Sequence, residues 1–179
     1  SKLDEDGLTP RIEDLISIKK IVKCPIRVMV RPHSRSFVYS EQDLKEMKKT
    51  INLCNQHNFD GVVFGCLDEN MELDIKKIKY LTDLSKPLKV IIHKAIDLTS
   101  SPLNSLKQLI EIKQINGVLS SGGKDTAEHG ISSLKKMIAI SSPKFEIISA
   151  GKITNKNLDY LHEKIQGKFY HGKKIVGKL

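Results

Sequence analysis

The residues of this chain that could do chemistry stand where apolar runs end. Arg31 closes the run Ile26–Val30 and is followed by Pro32 and a loop of donors, His33, Ser34, Arg35 and Ser36. A guanidinium at a strand exit can grip a carboxylate or phosphate at two points, and it can equally close an ion pair at the mouth of a fold. Further on, Ile91–Asp97 reads IIHKAID, with His93, Lys94 and Asp97 close enough to act as acid, anchor and orienter. His93 and Lys94 would face opposite sides of a regular strand, so at most one of them faces an interior. A purely structural alternative stays open, in which His93 bonds a neighbouring strand end and Asp97 caps the loop.

Two glycine loops add backbone donors. Ser120-Ser121-Gly122-Gly123-Lys124 and Ser149-Ala150-Gly151-Lys152 each follow an apolar run and precede a helical pattern, where amides can cradle an anion. Ser121, Gly122, Gly123 and Gly151, with Arg31, are therefore candidates for holding a small phosphate- or carboxylate-bearing ligand. Taken singly, each loop is also explained by glycine permitting a tight turn. Of Cys24, Cys54 and Cys66, only Cys66 follows a strand end, beside Asp68 and Glu69, and it is the candidate metal ligand. Cys54 falls on the inward stripe of a helix and Cys24 at a strand's amino end. Three widely spaced cysteines fit neither a disulfide framework nor a zinc knuckle, and suggest a reducing compartment.

These groups need a scaffold. Thr9-Pro10 predicts a helix start running to about Val22, with Ile12, Leu15 and Ile16 inward. Ile26–Arg31 reads as a strand, ended by Pro32, and Ser40 with Asp43 caps a helix to about His57 carrying Leu44, Met47, Ile51 and Cys54 on one face. Strands are expected at Val62–Gly65, Leu88–His93, Gly117–Ser121, Phe145–Ser149 and Lys168–His171. Helices intervene from Asp74 to Ser85, from Ser101-Pro102, from Thr126 to Ile140, and after Thr154. A strand and a helix recur at roughly 25–30-residue intervals, which predicts α/β architecture around a parallel sheet. No GxGxxG follows the first strand, and polar groups at several strand ends suit a (β/α)8 barrel, although about 250 residues is the usual barrel length.

The chain's 179 residues are expected to form one domain, 1–179. The net charge of +9 comes from lysines spread over helix faces, with no tryptophan to stack on bases, so a solvated surface is expected and not a nucleic-acid partner. No apolar run reaches the roughly 20 residues of a membrane span, and no leader is evident. A cytoplasmic, soluble protein is the expectation.

The run IRVMVRPHSRSFVYS (Ile26–Ser40) closely resembles the copper homeostasis protein CutC family, in which a similar run reads roughly IRVMIRPRGGDFVYS. The resemblance continues at FDGVVFG, IIHKAID, LSSGG and KFYHG. It implies a TIM-barrel-like fold, copper homeostasis, copper as Cu(I), and a homo-oligomer. It also favours His93 as the inward group, from the family's FHRAFD, and adds His171, from EFHGSA. Lys94 and Ile96 stand where the family has arginine and phenylalanine, and Ser149–Lys152 keeps one glycine of the family's PGGG. The family's first two strands would precede Leu3–Pro10, so about six βα units of an incomplete barrel, with two edges needing cover, are expected. Arg31, His93, Asp97 and His171 around a small anionic ligand would suit a barrel enzyme or binding protein. A non-catalytic interaction module is the third possibility, and the sequence does not decide whether the chain is an enzyme.

Overall fold

The computed structural model describes residues 7–176; the polar lead at residues 1–6 lies outside them. Six strands, β1 (Arg27–Met29), β2 (Gly61–Phe64), β3 (Lys89–Ile92), β4 (Ile115–Ser120), β5 (Glu146–Ser149) and β6 (Phe169–Tyr170), form one sheet in chain order. Every neighbouring pair is parallel, as βα crossovers require. The sheet curls into a half-barrel. Met29, Val63, Ile91, Leu119 and Ile148 line its concave face, while Val62, Phe64, Val90, Ile92 and Val118 are buried on the alternate face, which the helices cover.

The helices are α1 (Ile12–Ile21), α2 (Glu41–Gln56), α3 (Ile75–Leu84), α4 (Pro102–Ile110), α5 (Ile131–Ile140) and α6 (Leu158–Ile165). Several starts follow the predicted chemistry. Ser40 accepts from the Asp43 amide while Asp43 reaches back to the Ser40 amide, a complete capping box. Asp74 caps α3, and Ser101 caps α4 with Pro102 in its first turn. The α2 stripe of Leu44, Met47, Ile51 and Cys54 is buried, each large side chain contributing about 1.5–3 kcal/mol.

Other boundaries differ from the sequence expectation for local reasons. Thr9 does not cap α1; its hydroxyl accepts from the Arg31 amide and its own amide donates to the Arg31 carbonyl, so it lies along the free edge of β1. Strand β1 ends at Met29, with one further bond from the Val30 amide to the Val63 carbonyl. Strand β4 starts earlier than Gly117, because Asn116 opposes a register shift in β3 and its side chain accepts from the Val90 amide. Helix α5 starts later than Thr126, which closes a separate turn onto Gly130 and His129. Thr154 likewise heads a turn with Asn157 before α6 begins.

Candidate functional site

The exits of β1, β2 and β3 bring together the residues with the strongest case for ligand binding. Arg31, just past β1, continues the parity of Arg27 and Met29, and His93, just past β3, that of Ile91, residues that line the concave side. Both are more than nine-tenths buried, with Arg31 at 8% and His93 at 4% exposure. Phe37, from the β1–α2 loop, touches both: the Arg31 guanidinium carbon lies 4.7 Å from its ring centroid, and the His93 ring centroid lies 4.5 Å away, tilted by 50°. Gly65 makes room for this cluster, since a Cβ there would stand 2.7 Å from His93 Nδ1.

His93 ends its strand and opens a short 3₁₀ helix, Lys94–Leu98, accepting from the Ala95 amide on Nδ1 at 3.2 Å. Burial, reinforced by the nearby Arg31 charge, pushes its pKa down to about 3. The ring is therefore neutral, with its proton on Nε2, and among the described residues that nitrogen is buried without a hydrogen-bond partner. Arg31 Nη2 donates to the Ser34 carbonyl at 3.3 Å, which holds the loop over the site. The other loop donors turn to Asp43: His33 Nε2 stands 3.3 Å and Arg35 Nη2 3.9 Å from its carboxylate. The bond from Ser40 leads, with help from His33, in holding Asp43 below the usual carboxylate range.

Asp97 and the LSSGG loop form a separate cluster. One carboxylate oxygen accepts from Ser120 Oγ at 2.5 Å and the Gly123 amide at 2.8 Å; the other accepts from the Ser121 amide and hydroxyl, both at 2.9 Å. Lys94 Nζ completes it, 3.6 Å from Asp97 and 2.8 Å from Ser121 Oγ. The amide nest with left-handed Gly122 and Gly123 is thus filled by the chain's own carboxylate. Gly151, at the β5 exit, accepts from the Ala127 amide and packs on Ser121. His171 is exposed at the end of β6 and lines an open concavity of about 720 Å³ along the interior, with Arg27, Met29 and Ile91. Its pKa is lowered by desolvation and by Lys173. The four predicted groups are therefore split: Arg31 with His93, Asp97 with the glycine loop, and His171 on the far edge.

The two buried thiols, Cys54 and Cys66, are poorly placed for copper. Soft Cu(I) is held by thiolate or thioether, helped by imidazole. Cys66 is fully buried and its thiol is pushed up to about 12 by burial and by Asp74; burial raises Cys54 to about 11. Among the described residues no three His, Cys, Asp or Glu side chains are grouped closely enough to hold a metal ion. Among the described residues, the donor set does not fit a copper centre of three such ligands.

Sequence reasoning missed Phe37 and Tyr39. For Tyr39 a signal was present: an aromatic residue before a serine cap with leucine at the fourth helical position is a hydrophobic staple, and Tyr39 and Leu44 are both buried. It also missed Arg27 and Glu146, charges within apolar strands, which pair at 2.6 and 2.8 Å across the concave face between β1 and β5. No described helix is long and apolar enough to cross a membrane.

The CutC family model matches residues 1–176. The human copper homeostasis protein cutC homolog is 32% identical over 163 residues, covering 91% of this chain and 59% of that protein. A family protein CutC of Yersinia pseudotuberculosis is 35% identical over 154 residues, or 84% of this chain and 60% of that protein. The chain thus spans about 60% of the length of these curated relatives. A crystal structure of CutC from Streptococcus agalactiae superimposes with a TM-score of 0.91 at 24% identity, covering 98% of this chain and 86% of that one, which shows a shared TIM-barrel-like α/β fold. On the family match and these identities, the chain belongs to the CutC family.

Proposed function

We propose that the chain serves copper homeostasis, as the names of its relatives state of them, and that it does so in the cytoplasm by recognising a small anionic ligand at its strand ends. The observation that carries this reading is the convergence of Arg31 and His93, both buried, on Phe37. Arg31 is a fixed cation, and beside it His93 is a neutral imidazole whose Nε2–H has no hydrogen-bond partner among the described residues. Such a pair selects an acceptor-rich anion, and low dielectric strengthens each charge-assisted bond. The reading assigns no copper ligand to Cys66, because its thiol is fully buried and, among the described residues, it belongs to no group of three His, Cys, Asp or Glu side chains that could hold a metal ion.

A homo-oligomer belongs to the same proposal. Ile18, Ile21 and Val22 of α1 and its C-cap are exposed, on the helix that precedes the outer strand β1.

Two titrations test the reading. Cu(I), offered against a competing chelator, is expected to find no stoichiometric site that disappears in Cys66→Ser. Acetate is expected to bind saturably and to lose at least about tenfold in affinity in Arg31→Ala, whereas Lys45→Ala or Lys135→Ala leaves binding unchanged, because exposed lysines are screened. A Cys66-dependent copper site, or anion binding indifferent to Arg31, would overturn it.

A further inference from the structure

Helix α1 is anchored on one side and open on the other. Leu15 is buried, and Lys19 turns inward, its Nζ donating to the Asn58 carbonyl and lying 4.8 Å from the centre of the Phe59 ring. Outward stand Ile18, Ile21 and Val22, all exposed and Ile21 at 80%, at the i, i+3, i+4 spacing that lays one stripe along a helix. A single exposed isoleucine is ordinary, whereas three neighbouring apolar side chains rimmed by charge mark a surface that another protein covers.

The rim is charged in a way that fits a copy of itself. The first turn carries Glu13 and Asp14, and the end of the helix carries Lys20, followed by Lys23. Arg11 pairs with Asp14 at 3.0 Å and also feels Glu13, which leaves two acids against one cation. Glu13, Lys20 and Lys23 are exposed and form no ion pair among the described residues. Two such helices packed parallel would set acid against acid and lysine against lysine. Packed antiparallel, they set the acidic turn of each against the lysines of the other, and their dipoles oppose.

We propose that α1 is the interface with a second copy of this chain, the two helices packing antiparallel about a twofold axis beside Ile18. Ile18 meets its own counterpart, Ile21 and Val22 lie against the first half of the other helix, and Glu13 comes beside Lys20 and Lys23 at both ends. A twofold contact closes on itself, so this assembly stops at a dimer. One helix pair covers less than the roughly 800 Å² per partner of a standard interface, so the dimer is weak and dissociates at micromolar concentration.

This inference rests on the homo-oligomer reading above and says where the contact is built. Sedimentation of the full chain over a concentration series is expected to show a reversible monomer–dimer equilibrium. Glu13→Lys, and separately Lys20→Glu/Lys23→Glu, should each weaken the dimer at least about tenfold, and mixing the two variants should restore it, because each contact then joins opposite charges again. Cysteines report the orientation, since Cys24 is exposed while Cys54 and Cys66 are buried. In the antiparallel pair the two copies of Cys24 lie at least about 18 Å apart along the helix axis, out of disulfide reach. In a buffer of oxidised glutathione, Ile18→Cys/Cys24→Ser is therefore expected to form a covalent dimer and the unsubstituted chain to form none. A dimer indifferent to both charge variants, or one that position 18 does not cross-link, would overturn the α1 interface and leave the homo-oligomer reading standing. Cross-linking through Cys24 in the unsubstituted dimer would overturn the antiparallel arrangement. A monomer at every concentration would overturn both the interface and the homo-oligomer.

Discussion

His93 sets the pH behaviour expected of the site. The folded chain resists protonating it until about pH 3, whereas an unfolded histidine takes a proton near 6.5. Its contribution to stability is therefore complete above about pH 6.5, and is lost at up to roughly 1.4 kcal/mol per pH unit as pH falls towards 3. Urea unfolding at pH 7.5 and pH 5 should show a shallower loss in His93→Gln than in the unsubstituted chain; equal losses would contradict this account of the burial. Asp97 is the other residue on which much depends. Asp97→Ala leaves the Ser121 and Gly123 amides without their acceptor and takes one acceptor from the Ser120 and Ser121 hydroxyls, and is expected to cost about 3 kcal/mol in the same assay. Arg31 and His93 were legible in the sequence because each follows an apolar run at a strand exit. That Asp97 would fill the glycine nest was not legible, since a loop that can hold an outside anion can hold an internal one equally well. Phe37 was not legible either, because its neighbours Arg31 and His93 come from different strands.

Secondary-structure elements followed the sequence where one side chain had one local use. Ser40 illustrates this: its hydroxyl and Asp43 satisfy each other's amides, and Ser40→Ala should lower stability by about 1 kcal/mol in thermal or denaturant unfolding. A change below about 0.3 kcal/mol would mean that the capping box is spent on a helix already held by tertiary packing. Threonines at 9, 126 and 154 were harder to place, because a hydroxyl serves an edge strand or a tight turn as readily as a helix cap. Strand identity was legible from β-branched runs, but strand length was not. Asn116 extends β4 by a side-chain bond to the Val90 amide, a contact that no local pattern announces.

At the scale of the whole molecule, the Arg27–Glu146 pair joins β1 to β5 across the concave face and so fixes how tightly the sheet curls. Its side chains are 27% and 13% exposed, so Glu146→Ala is expected to cost about 2 kcal/mol, less than the roughly 3–5 kcal/mol of breaking a fully buried pair. Parallel strand order was predictable from the alternation of strand and helix, whereas this closure was not, because the two residues are far apart in the chain. The exposed apolar residues of α1 predict association: light scattering should find a dimer or larger species, and Ile18→Lys/Ile21→Lys should shift it towards monomer. A monodisperse monomer before substitution would contradict that. The central claim is that the strand ends of this CutC-family chain recognise a small anion through Arg31 and His93. Its most direct measurement is a carboxylate titration followed by nuclear magnetic resonance of the Arg31 Nε–H and His93 Nε2–H groups. The account predicts that both resonances shift together and saturably with acetate, and that the His93 response is lost in Arg31→Ala. Absence of a saturable shift at either group, or an undiminished His93 response without Arg31, would contradict it.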